Sequence, residues 1–152
     1  WHSGSPMGGM IHLLRGIHIL VPRNMTQAAG FYNFLMQIQQ PAIVIEPLNS
    51  YRLKEKLPRN LGNYTIKPGE IEILSKGKDI TVVSYGSTLN IVEEASKKLL
   101  NNGISLEVID IQTLIPFDLD HKILDSVKKT NRLLVIDEDV PGGASSYPNN
   151  RE

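Results

Sequence analysis

Between residues 105 and 129 the chain passes from a strand-like run, Ser105 to Ile109, through Asp110-Ile111-Gln112-Thr113-Leu114-Ile115-Pro116-Phe117-Asp118 to a helix-like run, Asp120 to Lys129. A segment of strand length, a proline-bearing loop and then a helical run define an α/β unit by its connection. The neighbouring residues repeat that order. Ile80 to Tyr85 is β-branched and reads as a strand, Gly86-Ser87-Thr88 as a tight turn, and Leu89 to Leu100 as an amphipathic helix. Asn101-Asn102-Gly103 closes that helix, with Gly103 able to take a left-handed cap conformation, and Arg132 to Ile136 is a further strand. Strands alternating with helices imply right-handed crossovers and a parallel sheet covered on both faces, so the fold class is three-layer α/β.

The first half carries a shorter version of the same pattern. Met7 to Leu14 reads as a short helix stopped by Gly16, and Ile17 to Pro22 as an apolar strand ended by proline. Asn24 is placed to cap a helix from Thr26 to about Gln39, in which Ala28, Phe31, Leu35 and Ile38 share one face. Ala42 to Ile45, bounded by Pro41 and Pro47, has the look of a buried parallel strand. From Leu48 to Gly77 prolines, glycines and the run Arg52-Leu53-Lys54-Glu55-Lys56 indicate an exposed connector with one short strand near Ile71 to Leu74. The expected organisation is residues 1–48, a connector 49–77 with the boundary near Lys76 to Lys78, and a second domain 78–152.

Composition narrows the function classes. The 152 residues contain no cysteine, which removes disulfide frameworks and cysteine metal sites and makes an intracellular, cytoplasmic protein the default. Sixteen cations balance sixteen acids, so nucleic acid is a poor first partner. No apolar stretch reaches the roughly 18 residues that span a bilayer, and no signal peptide is visible. The ends read as those of a fragment: Trp1 opens within a loop-like stretch, and Pro148 blocks a helix that Gly142-Gly143-Ala144 would start.

His2 lies in a Ser/Gly/Pro-rich loop, Trp1-His2-Ser3-Gly4-Ser5-Pro6, and a histidine there can serve as acid or base because its unperturbed pKa is near neutrality. Loop histidines are common, and residue chemistry alone favours an ordinary one. Ser3 and Ser5 are read as bonding neighbouring backbone. His12, His18 and His121 have no metal-ligand spacing, and no metal site is assigned. Asp137-Glu138-Asp139 reads as an exposed strand-end charge run. Gly142-Gly143-Ala144-Ser145-Ser146 lacks the lysine and spacing of phosphate loops and is assigned to packing.

The order of these motifs resembles the β subunit of 2-oxo acid dehydrogenase E1 components, within the transketolase-like, thiamin diphosphate-dependent superfamily. The resemblance is carried by His2-Ser3-Gly4-Ser5-Pro6, Gly16-Ile17-x-Ile19-x-Val21-Pro22-Arg23, Thr26-Gln27-Ala28, Pro41-Ala42-Ile43 and Glu46-Pro47. It continues through Asp79-x-Thr81-x-Val83-x-Tyr85-Gly86, Glu107-Val108-Ile109-Asp110, Thr113-x-x-Pro116-x-Asp118, Thr130-x-Arg132 and Glu138-x-x-x-x-Gly143, up to Ser146. It implies that residues 1–48 are the end of a pyrimidine-binding domain and residues 78–152 a transketolase C-terminal-type domain. It further implies oxidative decarboxylation of pyruvate or a branched-chain 2-oxo acid, with acyl transfer to lipoyl-E2.

By the same resemblance His2 is the catalytic position, handling protons as the acyl group passes to the lipoyl arm. Thiamin diphosphate and magnesium belong to the parent enzyme, and no cofactor-binding residue is assigned within this chain. The implied partners are an E1 α subunit or N-terminal half and the E2 acyltransferase, in an oligomer without nucleic acid or membrane. Gln112 departs from the arginine common in the family, and Ile38 and Gln40 from an aspartate and an asparagine associated with a potassium site. Two alternatives stand beside this reading: a transketolase or deoxyxylulose phosphate synthase, and a non-catalytic assembly module made of residues 78–146.

Overall fold

The computed structural model describes residues 7–137. In chain order these form α1 (Met7–Leu13), β1 (His18–Leu20), α2 (Met25–Leu35), β2 (Ala42–Val44), a 3-10 turn at Leu48–Arg52, β3 (Glu72–Ser75), β4 (Ile80–Ser84), α3 (Thr88–Leu100), β5 (Leu106–Asp110), β6 (Thr113–Ile115), α4 (Lys122–Thr130) and β7 (Leu133–Val135).

The strands make two sheets, ordered β2-β1-β6 and β3-β5-β4-β7. In the larger sheet β4 pairs in parallel with β5 and β7, as alternating strands and helices require. β3 is antiparallel to β5, so the sheet is mixed, with an antiparallel edge on a parallel centre. Period two divides β4 between its faces: Val82 packs with Leu89 and Val92 of α3, while Thr81 bonds Ser126 and Thr130 of α4. Helices thus cover both faces and the three-layer expectation holds.

In the smaller sheet β1 runs parallel to β2 and antiparallel to β6. β6 lies inside what the sequence suggested was a connecting loop; three residues are too few to show a period, and the strand exists because β1 offers it a partner. β3 is the short strand expected near Ile71 to Leu74, and it hydrogen-bonds into the larger sheet, upstream of residues 76–78.

The helix after Asn24 has the expected cap: Asn24 Oδ1 accepts from Gln27 N–H at 2.8 Å. It ends at Leu35 rather than Gln39, since the N–H groups of Gln37 and Ile38 turn to the carbonyls of Phe34 and Leu35, three residues back. β2 is half-buried, not fully buried, because nothing among the described residues pairs on its outer side. Ala28 and Phe31 of the expected apolar face are buried, and Phe31 forms a small core with Leu20 and Ile66.

The largest core joins the two sheets. Met7, Ile19 and Val21 from the first part of the chain pack with Val83, Tyr85, Ile109, Ile111 and Leu114 from the second. Met7 is only 2% exposed, so α1 is anchored at its first residue.

Candidate functional site

The two sheets meet at a left-handed residue. β5 ends at Asp110, and the chain turns through Gln112, at φ 58°, to begin β6 in the other sheet. A non-glycine residue in that region needs local support. Asp110 supplies it: its Oδ1 accepts Gln112 N–H at 2.9 Å. On the far side Val21 N–H donates to the Gln112 carbonyl at 2.9 Å, continuing the pairing with β1.

A buried polar network surrounds this pivot. Arg23, just past β1, donates from Nη1 to Asp110 Oδ2 at 2.7 Å and to Glu72 Oε2 at 2.6 Å. Gln27, in the first turn of α2, donates to Asp110 Oδ2 at 2.9 Å and to Gln112 Oε1 at 2.7 Å, while its own Oε1 accepts Arg23 N–H at 2.7 Å. Gln112 Nε2 reaches the Glu70 carbonyl at 3.0 Å. Residues from 23 to 112 are thereby tied at one point, although 87 positions separate Arg23 from Asp110.

The Asp110 side chain is 0% exposed. Burial pushes its carboxyl above the ordinary range, against the bonds from Gln27 and Arg23 that favour the charged form. Burial would lower Arg23, but the bonds and charges of Glu72 and Asp110 outweigh it, so the guanidinium is held protonated. Both partners of the cation are therefore engaged, and the network is a joint between elements.

Two capping carboxylates position the adjoining helices. Glu55 accepts from the N–H groups of Met25 and Thr26 at 2.9 and 3.0 Å and from the Thr26 hydroxyl at 2.7 Å. Those bonds hold its carboxyl below the usual range despite the opposing effect of burial. Asp118 caps α4, accepting from Lys122 and Ile123 N–H at 3.0 and 2.9 Å. Thr113 braces the loop between, donating to the Pro116 carbonyl at 2.7 Å and accepting Gly69 N–H at 2.9 Å.

Beyond the joint, at the C-terminal end of β4, lies a pocket of about 390 Å³ lined by Ile11, Val83, Ser84, Tyr85, Ile111 and Leu114 among others. In open α/β sheets ligands bind outside this end of the strands. The lining is apolar apart from Ser84 and the polar tip of Tyr85; Ser84 Oγ is buried without a hydrogen-bond partner among the described residues. Such a lining has no cation to meet a diphosphate. No group of three or more histidines and carboxylates among the described residues is placed for a metal. This pocket therefore does not fit thiamin diphosphate with magnesium.

His2, Ser3 and Ser5 lie outside the described residues, as do Glu138, Asp139 and the segment Gly142 to Ser146. His12 is exposed at the end of α1, His18 sits half-buried in β1, and His121 is exposed before α4; the three are on separate elements. Asp137 differs from the expected exposed charge: it is partly buried and accepts a hydrogen bond from the Tyr85 hydroxyl at 2.5 Å. Gln40 donates to the Gly16 carbonyl at 2.6 Å, so its side chain is taken up in joining α1 to β2. The sequence drew attention to Arg23, Gln27 and Asp110 by their order, and to Gln112 by its departure, but not to their convergence.

A three-layer α/β domain, joined through its Asp-x-x-Thr turn to a smaller sheet, places the molecule in the transketolase-like class. The chain belongs to the family of the transketolase C-terminal domain, which matches residues 69–147 and so takes in β3 as well as β4 to β7. It is 38% identical to 2-oxoisovalerate dehydrogenase subunit beta 2, mitochondrial, of Arabidopsis thaliana, over 94% of this chain and 39% of that protein. It is 35% identical to the acetoin:2,6-dichlorophenolindophenol oxidoreductase subunit beta of Bacillus subtilis, over 92% and 40%. It is 32% identical to the pyruvate dehydrogenase E1 component subunit beta of Acholeplasma laidlawii, over 91% and 42%. The chain thus spans about two-fifths of the length of these relatives. Among solved structures, a split-gene transketolase described as an inactive beta4 tetramer superposes with a TM-score of 0.76 at 24% identity, covering 96% of this chain and 46% of that one. A Pichia stipitis transketolase variant gives 0.63 at 16% identity, over 91% and 20%. These two likenesses establish the fold.

Proposed function

We propose that this chain forms part of a β-type E1 subunit of a 2-oxo acid dehydrogenase, acting on pyruvate or a branched-chain 2-oxo acid and passing the acyl unit to lipoyl-E2. The observation that carries the reading is the run of β-subunit relatives at 32–38% identity across nine-tenths of the chain. In this reading residues 1–48 end a pyrimidine-binding domain and residues 78–152 belong to the C-terminal-type domain. Thiamin diphosphate, when bound in the parent enzyme, supplies the electron sink; most of its site, with magnesium, lies on an α subunit or N-terminal half.

His2 is the proposed catalytic residue, taking and returning protons during acyl transfer. Its unperturbed pKa of about 6.5 makes both protonation states accessible near neutral pH. Five positions along the chain from it, Met7 packs in the core between the sheets, with Tyr85 and Ile111. The Arg23–Asp110 joint fixes the sheets that form that core.

The test is turnover of the complete β-type chain with its α-type partner, thiamin diphosphate, magnesium and lipoyl-E2. Pyruvate, 3-methyl-2-oxobutanoate, acetoin and xylulose 5-phosphate are offered separately. The expected outcome is acylation of lipoyl-E2 from a 2-oxo acid. Turnover of acetoin alone would move the substrate class, and turnover of the sugar phosphate alone would overturn the E1 reading in favour of a transketolase. Calorimetric titration of the 152-residue chain by itself with thiamin diphosphate and magnesium is expected to show no stoichiometric binding.

A further inference from the structure

The connector contains the densest cationic stretch of an otherwise balanced chain. Residues 51–59 read Tyr-Arg-Leu-Lys-Glu-Lys-Leu-Pro-Arg: four cations, one acid and three large apolar side chains, in a chain of zero formal charge. Its single acid is half-buried, unlike the exposed cations. Glu55 turns inward to cap α2, leaving Arg52, Lys54, Lys56 and Arg59 exposed. Among the described residues none of the four forms an ion pair. The next nearest acid in sequence, Glu46, is likewise engaged, by the hydroxyls of Tyr32 and Tyr51.

The apolar members of the stretch are exposed between these cations: Tyr51 by 57%, Leu53 by 59% and Leu57 by 64%. One exposed leucine needs no explanation, but three large side chains alternating with four unpaired cations form a strip that is both apolar and positive. The backbone is also open. Residues 54–57 belong to no helix or strand, and none of their N–H groups bonds a backbone carbonyl among the described residues. Backbone N–H groups left without a carbonyl partner can be taken up by an added chain, with alternate side chains giving specificity.

We propose that residues 51–59 dock an extended, acidic, leucine-bearing segment of a partner protein. Its carboxylates meet Arg52, Lys54, Lys56 and Arg59, and its apolar side chains cover Leu53 and Leu57. Inward capping by Glu55 has two effects: it fixes the strip against α2 and ties up the stretch's one carboxylate in bonds to Met25 and Thr26. The proposal does not depend on the E1 reading.

The test is fluorescence anisotropy of the 152-residue chain with a labelled peptide of alternating glutamate and leucine. Serine-for-leucine and lysine-for-glutamate peptides serve as comparisons. Saturable binding of the first peptide is expected, weakened about ten-fold or more when Arg52, Lys54, Lys56 and Arg59 are all changed to Gln, and also by Leu53→Ser with Leu57→Ser. All six side chains are exposed, so circular dichroism and thermal melting should be unchanged. Lys67→Gln with Lys97→Gln, elsewhere on the surface, should leave binding intact. Equal binding of the serine peptide would reduce the effect to bulk charge and overturn the proposal. So would undiminished binding by the four-fold variant, no binding at all, or binding confined to phosphatidylserine vesicles or polyuridylate.

Discussion

The larger sheet and the smaller one are stabilised differently. In β3-β5-β4-β7 the central strand β5 is buried along its whole length, and α3 and α4 close the two faces. In β2-β1-β6 every strand has three residues, and one of them comes from beyond β5. The first of these also has a core of its own, Val82, Leu89, Val92, Leu106 and Val108. The second needs a long-range core and a polar joint at Gln112, so β1 and β2 depend on residues far along the chain.

That asymmetry is broken most directly at Asp110. Removing its carboxylate in Asp110→Ala leaves Arg23 with Glu72 alone and takes away one acceptor of Gln27 and the acceptor of Gln112 N–H. Breaking a buried pair in this way costs about 3–5 kcal/mol, and denaturant unfolding should read the loss. Native-state hydrogen exchange should show opening of β1 and β6 before β4 and β5. A uniform increase over both sheets would mean that the joint is no more than general stability. Leu89→Ala provides the opposite case, with a cost of about 2–5 kcal/mol and its largest exchange increase in β4 and β5.

Smaller changes sharpen the comparison within the first part. Asn24→Ala removes the cap at Gln27 N–H and should cost about 1 kcal/mol, and Asn24→Asp should retain most of it. Glu55 stabilises the same helix end. Because its folded-state pKa is depressed, that contribution is present above the unfolded value, roughly pH 4.3, and is lost as pH falls through the lower folded value. A thermal-melt series below about pH 4.5 should therefore show a decline that Glu55→Gln lacks, worth about 0.3–1 kcal/mol. Identical pH curves for the two proteins would remove Glu55 from the capping role.

The elements legible in the sequence are those whose stability is local. β4 is a β-branched run, α3 a clear amphipathic helix, Asn24 a cap residue at the right place and Gly103 a left-handed closer at φ 79°. β6 was hidden because Thr113-Leu114-Ile115 becomes a strand only against β1. Gln112 gave no warning of its left-handed backbone, since the signal is normally glycine or asparagine, and here Asp110 and Gln27 do the stabilising. The convergence of Arg23, Gln27, Glu72 and Asp110 is a product of topology, which composition and spacing do not contain. The antiparallel edges are of the same kind: alternation of strands and helices specifies the parallel centre but not how β3 returns beside β5.

For the proposed chemistry, the decisive substitution is His2→Ala in the complete β-type chain, assembled with its α-type partner, thiamin diphosphate and magnesium. The quantity to measure is the rate of acyl transfer to lipoyl-E2, together with cofactor affinity. The expected result is a fall of about 100-fold or more in acyl transfer with cofactor binding retained, as for removal of a general acid–base group. Transfer at the unsubstituted rate would contradict the role assigned to His2, and with it the claim that this chain brings a catalytic group to an E1 active site.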